Sequence, residues 1–214
     1  MPSIPARPRL PNLDAEVRAR LRERLARLVR RRITDQEAPR AAVLVPLGLS
    51  GGKPAILFTK RTDTVGTHKG QVSFPGGRMD AGDEDEVATA LRELHEEVGL
   101  APVDVEVLGP FHDMMSITGL RVTPVLAFVG ALDPARLSPR ADEVEEAFAL
   151  TLDELVDPDK RATQMLGELR APYFAAGPHP IWGLTALILD EVLREALGLD
   201  LLEPRLPEVP PPRR

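Results

Sequence analysis

Apolar positions along this chain alternate between a helical spacing and a strand-like one, and the switches mark the elements. After a proline-rich leader, Val17, Leu21, Leu25 and Leu28 recur at helical spacing, which predicts a helix capped by Asn12 and ending near Ile33. Two aliphatic runs, AAVLVPLGL and PAILFTKR, flank SGGK and predict a β-hairpin. QVSF reads as a short strand stopped by Pro75, Gly76 and Gly77, and a helix from about Glu84 to Val98 follows, closed by Gly99. VDVEVLGPF, RVTPVLAFVG and EEAFALT read as further strands, LDELVDP as a short helix ended by Pro158, and Gly183 to Leu197 as a last long helix. The closing LEPRLPEVPPPRR has too little apolar surface to order itself and is expected to be extended or mobile. This mixture predicts an α+β fold or sandwich, a mixed sheet with helices against its faces.

The helix after the double glycine carries the chemistry. At about 100° per residue, Val87, Leu91, Leu94 and Val98 form its core stripe, and Glu93, Glu96 and Glu97 gather on the opposite side. Like charges at that spacing cost about 0.2–0.5 kcal/mol per pair. Arg92, between the faces, can hold one acid in place but cannot neutralise three. A divalent cation, Mg²⁺ or Mn²⁺, supplies the missing charge and leaves room for water and phosphate. A solvated acidic face is the competing explanation of a bare E-x-x-E-E. Gly76 and Gly77 weigh against it, because they allow close backbone approach to a ligand, as does the helix amino end, where amides are free to meet phosphate. The combination suits hydrolysis of a phosphoanhydride.

Composition narrows the setting. With 214 residues the chain holds one domain with trimmings: a leader and helix over 1–35, a body over 36–200 and a Pro-rich tail over 201–214. No apolar run approaches the roughly 18 residues of a membrane span, and the start lacks a secretory pattern, so a cytoplasmic protein without membrane partners is expected. The absence of cysteine excludes disulfides and thiolate metal sites and makes hard cations the default. A net charge of −6 argues against nucleic acid as a partner. One region dissents: ten arginines precede Ile33 against three acids, either an anion-binding arm or, more simply, the solvated face of an arginine-rich helix. Lys60, Arg61, His68, Lys69 and Arg78 also cluster around the glycines, and this local basic patch in an acidic protein suits an anionic small-molecule substrate. A homodimer is compatible with everything the sequence offers.

The stretch from Gly77 to Leu100 resembles the Nudix box, G-x5-E-x7-R-E-u-x-E-E-x-G-u with u aliphatic, through Gly77, Arg92, Glu93, Leu94, Glu96, Glu97, Gly99 and Leu100. Glu84 is correctly spaced from Arg92 but one residue too far from Gly77, where strict spacing assigns Asp83; either acid can fill the first position. Upstream, LFTKRTDTVGTHKGQVSFPGG is similar to the signature of the coenzyme A pyrophosphatase branch at Leu57, Thr59, Arg61, Thr62, Gly70 and Phe74 to Gly77, with Gly66 in place of a common arginine. IWGLTA, from Ile181, also resembles that branch, and the matches together span about two thirds of the chain.

The resemblance implies a Nudix-type α/β/α sandwich with a mixed sheet, an added N-terminal helix and a Pro-rich C-terminal tail. It implies cleavage of coenzyme A, and of acyl or oxidised forms, to 3',5'-ADP and 4'-phosphopantetheine. It makes Glu93, Glu96, Glu97 and Gly77 the expected metal ligands. Arg61, Lys60, His68, Lys69, Gly76, Gly77 and Arg78 become the expected substrate contacts, and Arg92, Glu93 and Glu97 the expected catalytic groups. The general base is expected on a late loop, Glu143 or Glu146, with Glu145, Glu97 and Glu93 as further candidates. Trp182 and Tyr173 can stack on adenine or pack in the core. Two other readings stand beside this one: a Nudix pyrophosphatase for ADP-ribose, NADH or a dinucleoside polyphosphate, and a noncatalytic nucleotide-binding Nudix domain. A nucleic-acid enzyme using the arginine-rich helix ranks last.

Overall fold

The hairpin expected near residue 50 is the spine of the molecule. In the computed structural model, which describes residues 8–35, 37–62, 70–133 and 137–210, strands β1 (Arg40–Ser50) and β2 (Lys53–Arg61) pair antiparallel around Gly51 and Gly52. Both glycines have positive φ, 55° and 78°, the geometry that a two-residue hairpin turn demands. β3 (Val72–Ser73) pairs with β2, and β4 (Gly76–Arg78) with β1. Further along the chain come β5 (Glu106–Pro110), β6 (Met114–Met115), β7 (Arg121–Ala131) and β8 (Val144–Thr151). β7 runs parallel to β1, and the remaining pairings in this eight-stranded mixed sheet are antiparallel.

Both faces of the sheet are covered, which is why its central strands read as unbroken apolar runs. On one face Ala42, Leu44, Leu57 and Val125 pack against helix α2 (Glu86–Val98) through Ala90, Leu94 and Val98. On the other, Val45, Leu47, Ile56, Phe58 and Leu126 share a core with Leu21 and Leu25 of α1 (Ala15–Arg27). The same core takes in Leu152 and Leu155 of α3 (Leu152–Val156) and Ile188 and Leu189 of α4 (Gly183–Glu191). The expected layering of helices on both faces of a mixed sheet is present.

Several elements depart from the sequence reading. α1 is capped by Asp14, whose carboxylate accepts from the Val17 amide at 2.8 Å, while Asn12 Nδ2 braces that carboxylate at 2.7 Å. The helix stops at Arg27 instead of near Ile33, because the next residues find partners elsewhere. Arg30 Nε donates to Phe111 O at 2.8 Å and the Ile33 amide donates to Asp113 Oδ2 at 3.1 Å, and both bonds hold the chain extended. The arginine-rich segment is thereby bolted to the body: Arg18 and Arg22 pair with Glu106, Arg30 with Asp113 and Arg31 with Glu191.

A second hairpin, β9 (Arg161–Leu166) and β10 (Leu169–Phe174), has no counterpart in the sequence reading. Its buried positions include Arg161 and Gln164, each 2% exposed, so the apolar pattern that announces a strand is broken. The tail is extended, as one reading had it, but pinned. Amides of Leu206 and Val209 donate to Arg161 O and Thr163 O at 3.0 and 2.9 Å, and the buried side chains of Arg161 and Gln164 donate to Leu202 O and Pro210 O. Finally, α4 continues through one π-turn, Val192–Ala196, before Leu197.

Candidate active site

The acidic helix is fixed at both ends. Asp85 caps α2, its carboxylate accepting from the amides of Val87 and Ala88 at 2.9 and 2.8 Å, and Gly99 closes it in the left-handed conformation with φ 76°. The cap corrects one expectation: amides thought free for phosphate at this helix start are occupied by Asp85. The buried face also differs from the expected stripe, because Ala90 lies at its centre. Glu97 is seven residues on from Ala90, two turns along the same face, so it is turned toward the sheet. The three glutamates therefore do not share an outer face; their side chains are 2% (Glu97), 14% (Glu93) and 44% (Glu96) exposed.

Arg92 organises this ridge and reaches more acids than the sequence suggested. Its Nε and Nη2 grip Asp83 Oδ1 and Oδ2 at 3.1 and 2.9 Å, its Nη1 donates to Glu93 Oε1 at 2.9 Å and Glu96 Oε2 at 3.1 Å, and Nη2 donates to Arg78 O at 3.0 Å. Asp83, not the exposed Glu84, thus fills the first acidic position. Thr89 Oγ1 and the Asp80 amide also donate to Asp83, at 2.9 Å each, and with Arg92 they hold its carboxyl well below the usual carboxylate range.

Gly76 and Gly77 lie in β4, paired with Val43 and Ala42, and not in a loop. Closeness is what requires glycine here. A Cβ on Gly77 would stand 2.3 Å from Glu93 Oε1, and one on Gly76 would stand 2.5 Å from Ala42 O and 2.6 Å from Val43 Cα. The first glycine seats β4 on β1; the second lets the Glu93 carboxylate lie against the strand.

Glu97 is the centre of the site. Arg61 Nη1 lies 3.5 Å from its Oε1, and its Oε2, fully buried, has no hydrogen-bond partner among the described residues. Burial, reinforced by Glu93 and Glu143, outweighs Arg61 and pushes the Glu97 carboxyl up to about 8. Burial likewise raises Glu93, against the opposing pull of Arg92. Glu143 reaches this neighbourhood because its loop is tied to the end of α2: the amides of Ser138 and Arg140 donate to Val98 O and Glu97 O at 2.9 and 3.0 Å. Arg140 Nη1 then holds the Glu143 carboxylate at 3.1 Å, a positioning contact the sequence reading missed.

The remaining candidates are scattered. Glu146 lies on the other face of the sheet: Phe148 and Leu150, of the same parity along β8, pack into the core with α4, while Ala147 and Ala149 pack toward α2. There His179 Nε2 meets Glu146 Oε2 at 2.8 Å and its ring meets Phe148 edge-on at 5.6 Å. Lys60 Nζ pairs with Glu145 at 2.6 Å. The exposed Arg78 meets the ridge through its carbonyl, which accepts from Arg92 Nη2. His68, Lys69 and Gly66 lie outside the described residues, and Trp182 and Tyr173 are half-buried. A shallow depression along α1, lined by Arg20, Glu23, Arg24, Arg27, Leu28 and Val29, involves none of these groups.

Among the described residues, no three acids or histidines are gathered at coordinating distance. The reason is visible in the arginines: Arg92 draws Glu93 and Glu96 aside, and Arg61 faces Glu97. The donor set nevertheless fits a hard cation. An unsatisfied, buried carboxylate oxygen beside a second half-buried carboxylate is costly unless a positive charge meets it.

Similarity to known proteins follows the same elements. A family model described as NUDIX domain matches residues 38–169, from β1 through β9. The chain is 46% identical over 175 residues to human "mitochondrial coenzyme A diphosphatase NUDT8", covering 78% of this chain and 72% of that one. It is 40% identical over 206 residues to the mouse protein of the same name, covering 92% and 97%, and 41% identical over 147 residues to mouse "peroxisomal coenzyme A diphosphatase NUDT7", covering 69% and 60%. With the glycine-seated, arginine-clamped carboxylate helix and these matches together, the chain belongs to the Nudix family.

Proposed function

We propose that this protein hydrolyses the diphosphate linkage of coenzyme A, adding water across the P–O–P bridge to give 3',5'-ADP and 4'-phosphopantetheine. The observation that carries the chemistry is Glu97, a buried carboxylate with an unsatisfied oxygen, set between Glu93 and the arginine at the end of β2. The two coenzyme A diphosphatases that the chain matches at 46% and 40% identity support the substrate.

In this reading Glu93, Glu96, Glu97 and the Gly77 carbonyl hold Mg²⁺ or Mn²⁺. When bound, the cation supplies charge neutralisation at the diphosphate and lowers the pKa of attacking water. The protein's own groups do the rest. Arg92 fixes the register of Glu93 and Glu96 while its grip on Asp83 anchors the loop before the helix. Glu143, held by Arg140 and close enough to Glu93 and Glu97 to raise both, is the general base of choice. Glu146 is set aside for that role because it points to the α4 side of the sheet. Arg61 and Arg78 meet the phosphates, with His68 and Lys69 as further contacts, while Lys60, which shares the sheet face of Glu146 and pairs with Glu145, is set aside.

Incubation with coenzyme A and either metal should release 3',5'-ADP, and chelation should stop it. A panel in which ADP-ribose, NADH or a dinucleoside polyphosphate turns over far faster than coenzyme A would overturn the substrate and leave the hydrolase. Action on acyl or oxidised coenzyme A, a cytoplasmic location and a homodimer complete the proposal; product chromatography, cell fractionation and light scattering test them. The named mammalian relatives are mitochondrial and peroxisomal. No described helix is long and apolar enough to cross a membrane.

A further inference from the structure

Two arginines face the acidic ridge, and they are held very differently. Arg92 engages its acids at 2.9–3.1 Å through Nε, Nη1 and Nη2. Arg61 approaches Glu97 only to 3.5 Å, longer than the roughly 2.7–2.9 Å of a charge-assisted hydrogen bond. The root of Arg61 is nonetheless rigid. Its amide donates to Gln71 O at 3.1 Å, the next amide, of Thr62, donates to Glu143 O at 3.1 Å, and Arg61 shares the strand parity of Ala55 and Leu57, which pack toward α2. A fixed root with a loosely engaged, 28% exposed guanidinium is an arrangement for exchange, not for permanent bracing.

Among the described residues, Glu97 Oε2 is left without a hydrogen-bond partner while Arg61 stands at Oε1. Resting on the cation reading above, we infer that Arg61 is a built-in substitute for the cation. It stands against Glu97 Oε1 in the metal-free protein, is displaced when the cation binds, and only then offers its guanidinium to the anionic substrate. Competition at Glu97 makes Arg61 oppose metal binding, and its release couples metal binding to anion binding with positive sign. The contact is an internal block on the empty enzyme, released by the ion that activates it.

Calorimetric titration of the chelator-treated protein with Mn²⁺ tests this without reference to turnover. Arg61→Met should bind Mn²⁺ about three- to tenfold more tightly than wild type, the scale of one partly screened ion pair. Arg61→Lys, which keeps the charge, should stay within about twofold of wild type on the same scale. Crystals of the wild type, chelated and Mn²⁺-soaked, should show the Arg61–Glu97 pair in the first and its loss in the second. Unchanged or weaker binding by Arg61→Met, or persistence of the pair with Mn²⁺ on Glu97, overturns the inference. Glu97→Gln separates the two levels: weakened Mn²⁺ binding there with no gain in Arg61→Met leaves the cation site standing and removes the exchange, whereas unaltered binding by Glu97→Gln removes both.

Discussion

Single side chains in this site owe their properties to their position on α2. Ala90, Leu94 and Glu97 lie on one face, so the glutamate is buried by the same geometry that seats the helix. Replacing it is expected to leave the fold intact: Glu97→Gln should lower kcat at least about a hundredfold, roughly 3 kcal/mol of transition-state stabilisation, in a coenzyme A hydrolysis assay. Asp83 works through Arg92 and carries a pH dependence of its own. Its folded pKa is depressed below the ordinary 3.8, so its pairing stabilises the protein above about pH 4, and that contribution is lost as pH falls below it. Acid unfolding followed by circular dichroism should therefore show a shallower loss of stability below pH 4 in Asp83→Asn than in wild type. The sequence offered Asp83 and Glu84 as equals; deciding between them needs the turn after β4, where the Asp80 amide and Thr89 Oγ1 converge on Asp83, and spacing alone cannot show that convergence.

At the level of elements, the paired glycines of β4 separate structure from chemistry. Gly76→Ala drives a methyl into the backbone of β1 and is expected to destabilise by about 1–3 kcal/mol, seen as a lower Tm. Gly77→Ala meets only the end of the Glu93 side chain, so it should spare the Tm and lower activity by displacing that carboxylate. The strands and helices with an unbroken apolar pattern, β1, β2, α2, β7, β8 and α4, were readable because two covered faces leave an emphatic signature. β9 was not, since the polar Arg161 and Gln164 take buried positions. The end of α1 was misread for a related reason: Arg30 and Ile33 look helical in isolation and are drawn out by Phe111 and Asp113, which lie about 80 residues away in sequence. Side of the sheet is equally invisible to motif spacing, which is why Glu143 and Glu146 looked interchangeable.

Across the whole molecule, the ends of the chain act as clasps. Arg18, Arg22, Arg30 and Arg31 of the arginine-rich start pair with Glu106, Asp113 and Glu191, and the extended tail is hydrogen-bonded alongside β9. Removing residues after 200 would strip Leu202 O and Pro210 O from the buried Arg161 and Gln164 side chains. Each orphaned group is expected to cost about 1–3 kcal/mol, a marked drop in Tm by differential scanning fluorimetry, without change in the acidic site. Prolines mark this segment as extended, but its register on β9 depends on carbonyls that no side-chain pattern records.

The union of α2 with the loop that carries Glu143 bears on redesign. Since the Ser138 and Arg140 amides close onto the last carbonyls of the helix, that loop is a cassette whose anchor is backbone, indifferent to side-chain identity. Loops swapped in from other hydrolases will keep this anchorage only if neither anchoring position is proline.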